Sequence, residues 1–152
     1  MTERVDFYVL KSSTAKQRWT FACRLTEKAY LRDLKVVLCG DTPAEVDAID
    51  GLLWTFSERS FVPHDVRRVR PSVAAAYAAA VQLTPDLDLV ESADLLVNVS
   101  ARLPVRLERF ARIAEIIDAD DERRRLGRER FRAYRELKLS VETHQLDDAA
   151  GA

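Results

Sequence analysis

The chain alternates short apolar runs with longer stretches in which apolar residues recur every three to four positions, and that alternation restricts the folds open to it. Val5–Leu10, Lys35–Cys39 and Asp94–Ser100 are the clearest runs. Each has the length and content of a buried strand. Between the first two, from Thr14 to about Leu34, Trp19, Ala22, Cys23, Ala29 and Tyr30 form an inward helical stripe, while Lys16, Arg18, Arg24, Glu27 and Lys28 are expected mostly outward. Thr42-Pro43-Ala44-Glu45 opens a second helix, with a capping hydroxyl, a proline suited to the first turn and a glutamate completing a capping box. It runs to about Phe56 with Val46, Ile49, Leu53 and Phe56 as its stripe. Further strands are expected at Ser60–Val62, ending at Pro63-His64-Asp65, and at Ile113–Ile117, with a short helix around Pro104–Phe110; the alanine-rich Ser72–Leu83 suits helix or strand, with a strand near Ala78–Leu83 favoured. A long arginine-rich helix from Ala119 to Leu137 closes the pattern. Strands alternating with helices call for an open α/β sheet covered on both faces.

At 152 residues a single domain is the default, with roughly two-thirds of the unfolded surface buried. We place that domain at residues 1–144 and expect a disordered tail at 145–152. No apolar run is long enough to cross a bilayer, and the strand-like opening does not read as a secretory signal. With 24 basic and 25 acidic residues, the chain lacks the overall basic footprint of a direct nucleic-acid binder. Cys23 and Cys39 are compatible with a bridge or with two reduced, buried thiols; the second is expected. His64 and His144 have no partner at metal-ligand spacing, so no metal is assigned.

The four glycines, Gly40, Gly51, Gly127 and Gly151, assemble neither a dinucleotide fingerprint nor a phosphate-cradling loop. The turn Lys11-Ser12-Ser13-Thr14 leaves a weak nucleotide-binding alternative, that of a small α/β enzyme. Ser60, His64 and Asp65 lack a nucleophile elbow. Asp118, Asp120 and Asp121 read as a helix start, with Asp120–Arg124 and Asp121–Arg125 as favourable pairs.

Two surfaces stand out. On the last helix, Leu126, Ala133, Tyr134 and Leu137 form the expected core stripe, while Arg124, Arg128, Phe131 and Arg135 fall within about 60° of one another on another side. Three guanidiniums around an aromatic ring suit a small ligand that is both acidic and apolar. A solvated, salt-bridged face, supported by Glu122 and Glu129, is equally compatible with these residues. On the second helix, Trp54 lies off the apolar stripe beside Asp47, Asp50 and Gly51, and Phe61 stands at a strand end. Trp54 is either an interface anchor or a lid over the sheet rim.

Several blocks together resemble one family. Val5-Asp6-Phe7-Tyr8, Ala22–Tyr30, Leu53-Trp54, Ser60-Phe61-Val62-Pro63-His64 and Gly127–Arg135 stand in the order and spacing of the chi subunit of bacterial DNA polymerase III. The resemblance covers nearly the whole chain. It implies a Rossmann-like, mostly parallel sheet, no catalytic activity, no cofactor, and a cytoplasmic, replisome-associated protein of the clamp-loader assembly. It implies two partners: the acidic C-terminal tail of single-stranded DNA-binding protein, at Arg124, Arg128 and Phe131, and the psi subunit, at Trp54 and Phe61. A DNA-repair helicase is a further candidate partner. Arg135 joins the tail site on helical geometry alone. Family members commonly carry tyrosine at Phe131 and lysine at Arg124; here the stacking surface and the charge are kept, without the hydroxyl and with a different donor geometry.

Overall fold

The computed structural model of the chain describes residues 1–56, 62–67 and 79–146. Among these, seven strands form one sheet: β1 (Arg4–Val9), β2 (Val36–Cys39), β3 (His64–Val66), β4 (Val81–Thr84), β5 (Ala93–Asn98), β6 (Phe110–Ile117) and β7 (Ser140–Gln145). Three helices join them: α1 (Ala15–Tyr30), α2 (Pro43–Thr55) and α3 (Asp121–Glu136). The strand order is β3-β4-β2-β5-β6-β1-β7, and every pairing is parallel. The arrangement is Rossmann-like, as expected.

Burial follows the strand alternation. Val36 and Leu38 of β2 and Ala114 and Ile116 of β6 face α1 and α2, meeting Ala22, Cys23, Val46, Ile49 and Leu53. Val37, Cys39, Ile113 and Ile117 point the other way, with Val5, Phe7, Leu96 and Phe110, and meet Tyr134 of α3. Because β2 is buried on both faces, all four of its residues are apolar. Cys23 and Cys39 are free and buried, and burial pushes their thiols up to about 12 and about 11.

Helix starts follow the sequence. The Thr14 and Thr42 hydroxyls accept the Gln17 and Glu45 N–H groups at 3.3 and 3.1 Å, and Asp120 accepts that of Arg123 at 3.0 Å. Glu45 reaches back to the Asp41 N–H at 2.7 Å, one residue before the cap. Helix α1 stops at Tyr30 rather than Leu34, its exit completed by Asp33 at φ 61°.

Other boundaries differ for identifiable reasons. Among the described residues the third strand is His64–Val66, after Pro63, which has no N–H to give a ladder. Ser60, Phe61 and Ala78 lie outside the described residues. Of the helix expected at Pro104–Phe110 only a single turn, Leu107–Arg109, is present; Arg106 at φ 51° interrupts it, and Phe110 already belongs to β6. Strand β7 was not foreseen. It begins after Lys138, which takes the left-handed φ of 63° where glycine is the usual signal, and its residues are polar on both faces. Residues 147–152 lie outside the described ones.

Helix α3 is turned relative to expectation. Its buried line is Gly127, Arg130 and Tyr134, while Leu137 is 58% exposed. Tyr134 is buried as expected, and the buried face is rotated by about 50° from the Leu126–Ala133–Tyr134–Leu137 stripe, toward the arginine–phenylalanine face. The reason is Glu115 of β6, fully buried, which accepts from Arg130 Nε at 3.1 Å, Tyr134 Oη at 2.6 Å and Asn98 Nδ2 at 3.1 Å. Burial raises the Glu115 pKa even with Arg130 beside it, and the same burial and the Glu115 charge raise that of Tyr134.

Candidate functional site

In an open parallel sheet the usual ligand crevice lies at the carboxyl ends of the strands, where the crossovers go to opposite faces. Here the crossovers from β1 and β6 go to opposite faces, and on the α1 side of their carboxyl ends the protein's own ions meet. Arg18, expected outward, is 3% exposed. Its guanidinium donates to Asp118 and, at 3.0 Å, to Glu45, which also accepts from Trp19 Nε1 at 2.9 Å. In the Lys11–Thr14 turn the Ser12 hydroxyl accepts the Thr14 N–H at 3.2 Å and the Ser12 carbonyl accepts that of Ala119 at 2.8 Å. These polar groups are committed to the fold.

A separate cavity of about 270 Å³ lies between α3 and the carboxyl ends of β1, β6 and β7. Its floor is Phe7, Val9 and Ile117, its far wall Thr143 and Gln145, and its near wall Arg124, Gly127, Arg128 and Phe131 of α3. Three of the four residues singled out on α3 therefore share one pocket. Phe131 is half-buried, its ring 5.4 Å from that of Phe7. Arg135 does not line the cavity; its guanidinium sits 5.8 Å from the Phe131 ring centroid, on the outside. Gly127 makes the close approach possible, since a Cβ there would stand 2.4 Å from Ile117 Cδ1.

The charge here is unbalanced. The Glu122 and Glu129 carboxylates both pair with Arg125, at 2.5 and 2.9 Å. The expected Asp120–Arg124 and Asp121–Arg125 pairs do not form: Asp120 is spent on its cap, and Arg124 makes long contacts to the Asp118 and Leu10 carbonyls, at 3.4 and 3.5 Å. Among the described residues no carboxylate pairs with Arg124, Arg128 or Arg135. An apolar pocket with a guanidinium rim can take a group that ends in a carboxylate and carries an apolar side chain.

The sequence reading missed the floor and the far wall. Phe7, Val9 and Ile117 look like ordinary core residues, and Thr143 and Gln145 belong to the unforeseen strand. A lone glycine inside a helical pattern, Gly127, was the available signal of close packing.

At the opposite rim of the sheet, Trp54 is 45% exposed and packs its ring 4.4 Å from that of His64 on β3. The His64 Nε2 lies 2.7 Å from Asp50. Phe61, expected beside it, is outside the described residues. On the face of β1 and β7 turned toward α1, where Tyr8 meets Phe21, folding brings Asp6, Glu142 and His144 within 4.8 Å of one another, a donor set that sequence spacing did not reveal. Arg4 and Arg112 balance these carboxylates: Arg4 bridges Asp6 and Glu142 at 2.8 and 2.6 Å, and Arg112 reaches Asp6 at 3.1 Å.

Fold and site together define a Rossmann-like α/β protein that carries a basic-rimmed apolar pocket between its last helix and the sheet. The chain belongs to the DNA polymerase III chi subunit, HolC, family, which matches residues 1–142. It is 34% identical over 144 residues to DNA polymerase III subunit chi of Pseudomonas aeruginosa, covering 94% of this chain and 96% of that one. The chi subunits of Haemophilus influenzae and Escherichia coli are 24% and 21% identical; the alignments cover 89% and 93% of this chain and 92% and 97% of theirs. Among solved structures, Mss116p DEAD-box helicase domain 2 bound to an RNA duplex (TM-score 0.53, 10% identity) and a DEAD box protein from Methanococcus jannaschii (TM-score 0.54, 12% identity) share the fold. The matches cover 93% and 94% of this chain, which spans 64% and 42% of the two structures. No helix among the described residues is long and apolar enough to cross a membrane.

Proposed function

We propose that this chi-family protein is a non-catalytic, cytoplasmic accessory subunit of the DNA polymerase III clamp loader that holds the acidic C-terminal tail of single-stranded DNA-binding protein. The observation that carries this reading is the cavity between α3 and β7, an apolar floor of Phe7, Val9 and Ile117 beneath the guanidiniums of Arg124 and Arg128, with which no carboxylate among the described residues pairs. The tail's terminal carboxylate meets the guanidinium rim while its apolar ring occupies the floor against Phe131. Arg135, stacked outside Phe131, adds positive charge toward the tail's acidic residues. Each contact is weak alone; several tails on one coated strand raise the effective concentration. The link to the holoenzyme runs through a psi subunit at the Trp54 rim, with Phe61 as its second member, and a repair helicase is a competing partner class for the protein.

The test is fluorescence anisotropy of a labelled tail peptide with the wild type and with Arg128→Ala. Arg128 is exposed and has no ion pair with a carboxylate among the described residues, so the variant keeps its thermal midpoint and loses binding by tenfold or more, on the order of 1.4 kcal/mol. Equal affinity of the two proteins would refute the site.

A further inference from the structure

Strand β7 ends the sheet, paired on one side only, with β1. In a parallel pair, alternate residues direct both main-chain groups to the same neighbour. The Leu146 N–H donates to the Val9 carbonyl at 3.0 Å, and Thr143 and Gln145 stand opposite Phe7 and Val9. The main-chain groups of Glu142, His144 and Leu146 therefore turn to β1, and those of Val141, Thr143 and Gln145 turn outward. Among the described residues nothing pairs with that outward row. Such an edge is a template for another strand, and no proline or lysine interrupts it.

Side-chain alternation joins this edge to the pocket. Thr143 and Gln145 point their side chains into the cavity wall, and Val141 packs on the same face. The residues with unmet main-chain groups are those facing α3, so edge and pocket form one continuous surface. Its charge, from Arg124 and Arg128, selects an acidic occupant.

We infer that the outer edge of β7 is the second half of the peptide site: the acidic segment that ends in the pocket runs extended along β7 and adds to the sheet as a further strand. This inference rests on the pocket reading above. Main-chain pairing supplies affinity without regard to side chains, and the pocket supplies selectivity and the fixed end.

The full-length protein is titrated with a labelled synthetic peptide of aspartates ending in a free-carboxylate phenylalanine, and with a series in which one peptide amide at a time is N-methylated. Strand addition predicts a loss of about tenfold or more at alternate amides only, because successive residues face opposite sides of a strand. Methylation that is tolerated throughout, or harmful throughout, overturns strand addition and leaves the pocket intact. Failure of the unmodified peptide to bind overturns both. In the protein, Thr143→Pro removes an outward N–H and spares the ladder to β1, so it weakens the unmodified peptide more than Thr143→Ala, which changes the pocket wall alone; equal affinities of these two variants count against the inference. If Thr143→Pro does not fold, slowed hydrogen exchange of the Val141, Thr143 and Gln145 amides on peptide binding takes its place, and unchanged exchange overturns it.

Discussion

Gly127 concentrates the tension between helix stability and the site. Any other residue except proline would favour the helix, alanine by about 1 kcal/mol. Yet a Cβ would meet Ile117 Cδ1 at 2.4 Å, and Ile117 is part of the pocket floor. The methyl can be accommodated only if the isoleucine moves, and the space it takes is pocket space. Gly127→Ala is therefore expected to leave the chemical-denaturation midpoint nearly unchanged while weakening the tail peptide several-fold, about 1 kcal/mol. Unaltered peptide affinity would show that Ile117 relaxes elsewhere. Arg124, Arg128 and Phe131 were legible in the sequence because charge and aromaticity at helical spacing are visible there. The residues beneath them were not, because a pocket floor and a core have the same composition.

Between elements, buried ions carry the docking. Arg18 of α1 reaches Asp118 at the end of β6 and Glu45 of α2, and Arg130 of α3 reaches Glu115 of β6. Removing one partner of such a pair leaves a buried charge uncompensated, at a cost of about 3–5 kcal/mol. Arg18→Met is expected to lose that much stability in urea titration, and Arg18→Met with Asp118→Asn to regain part of it; a double variant no better than the single one would mean that the pair itself contributes little. Neither arginine was read as buried from the sequence, where charge signals exposure. Glu115, inside the apolar run Ile113–Ile117, was the mark that an opposite charge had to come to it.

Across the whole molecule, β6, β1 and β7 share one ion network on the α1 side of the sheet. Burial alone would raise the Asp6 carboxyl, but hydrogen bonds from His144, Arg4 and Arg112 outweigh it and hold the group below its ordinary value of 3.8. Asp41 follows the same sign: burial raises it, and the Ala101 N–H and Arg123 lower it further. A carboxyl lowered by folding stabilises the fold above the unfolded value, and that contribution is lost as pH falls through the folded one. Asp6→Asn should thus be less stable than the wild type at neutral pH, with the difference in thermal midpoint narrowing below about pH 3.8. A gap independent of pH would place the stabilisation elsewhere.

The alternation of apolar runs and helical stripes determined the fold class, and the threonine, proline and aspartate caps determined where the helices begin, because local periodicity and capping act over a few residues. Resemblance to the chi family followed from blocks with fixed order and spacing. Only the tertiary structure decided how α3 is rotated, since that depends on Glu115 drawing Arg130 inward across the sheet. It also decided that a polar segment after Lys138 becomes an edge strand, since β1 supplies its hydrogen bonds. The pocket exists where those two outcomes meet, so no single stretch of sequence could contain it.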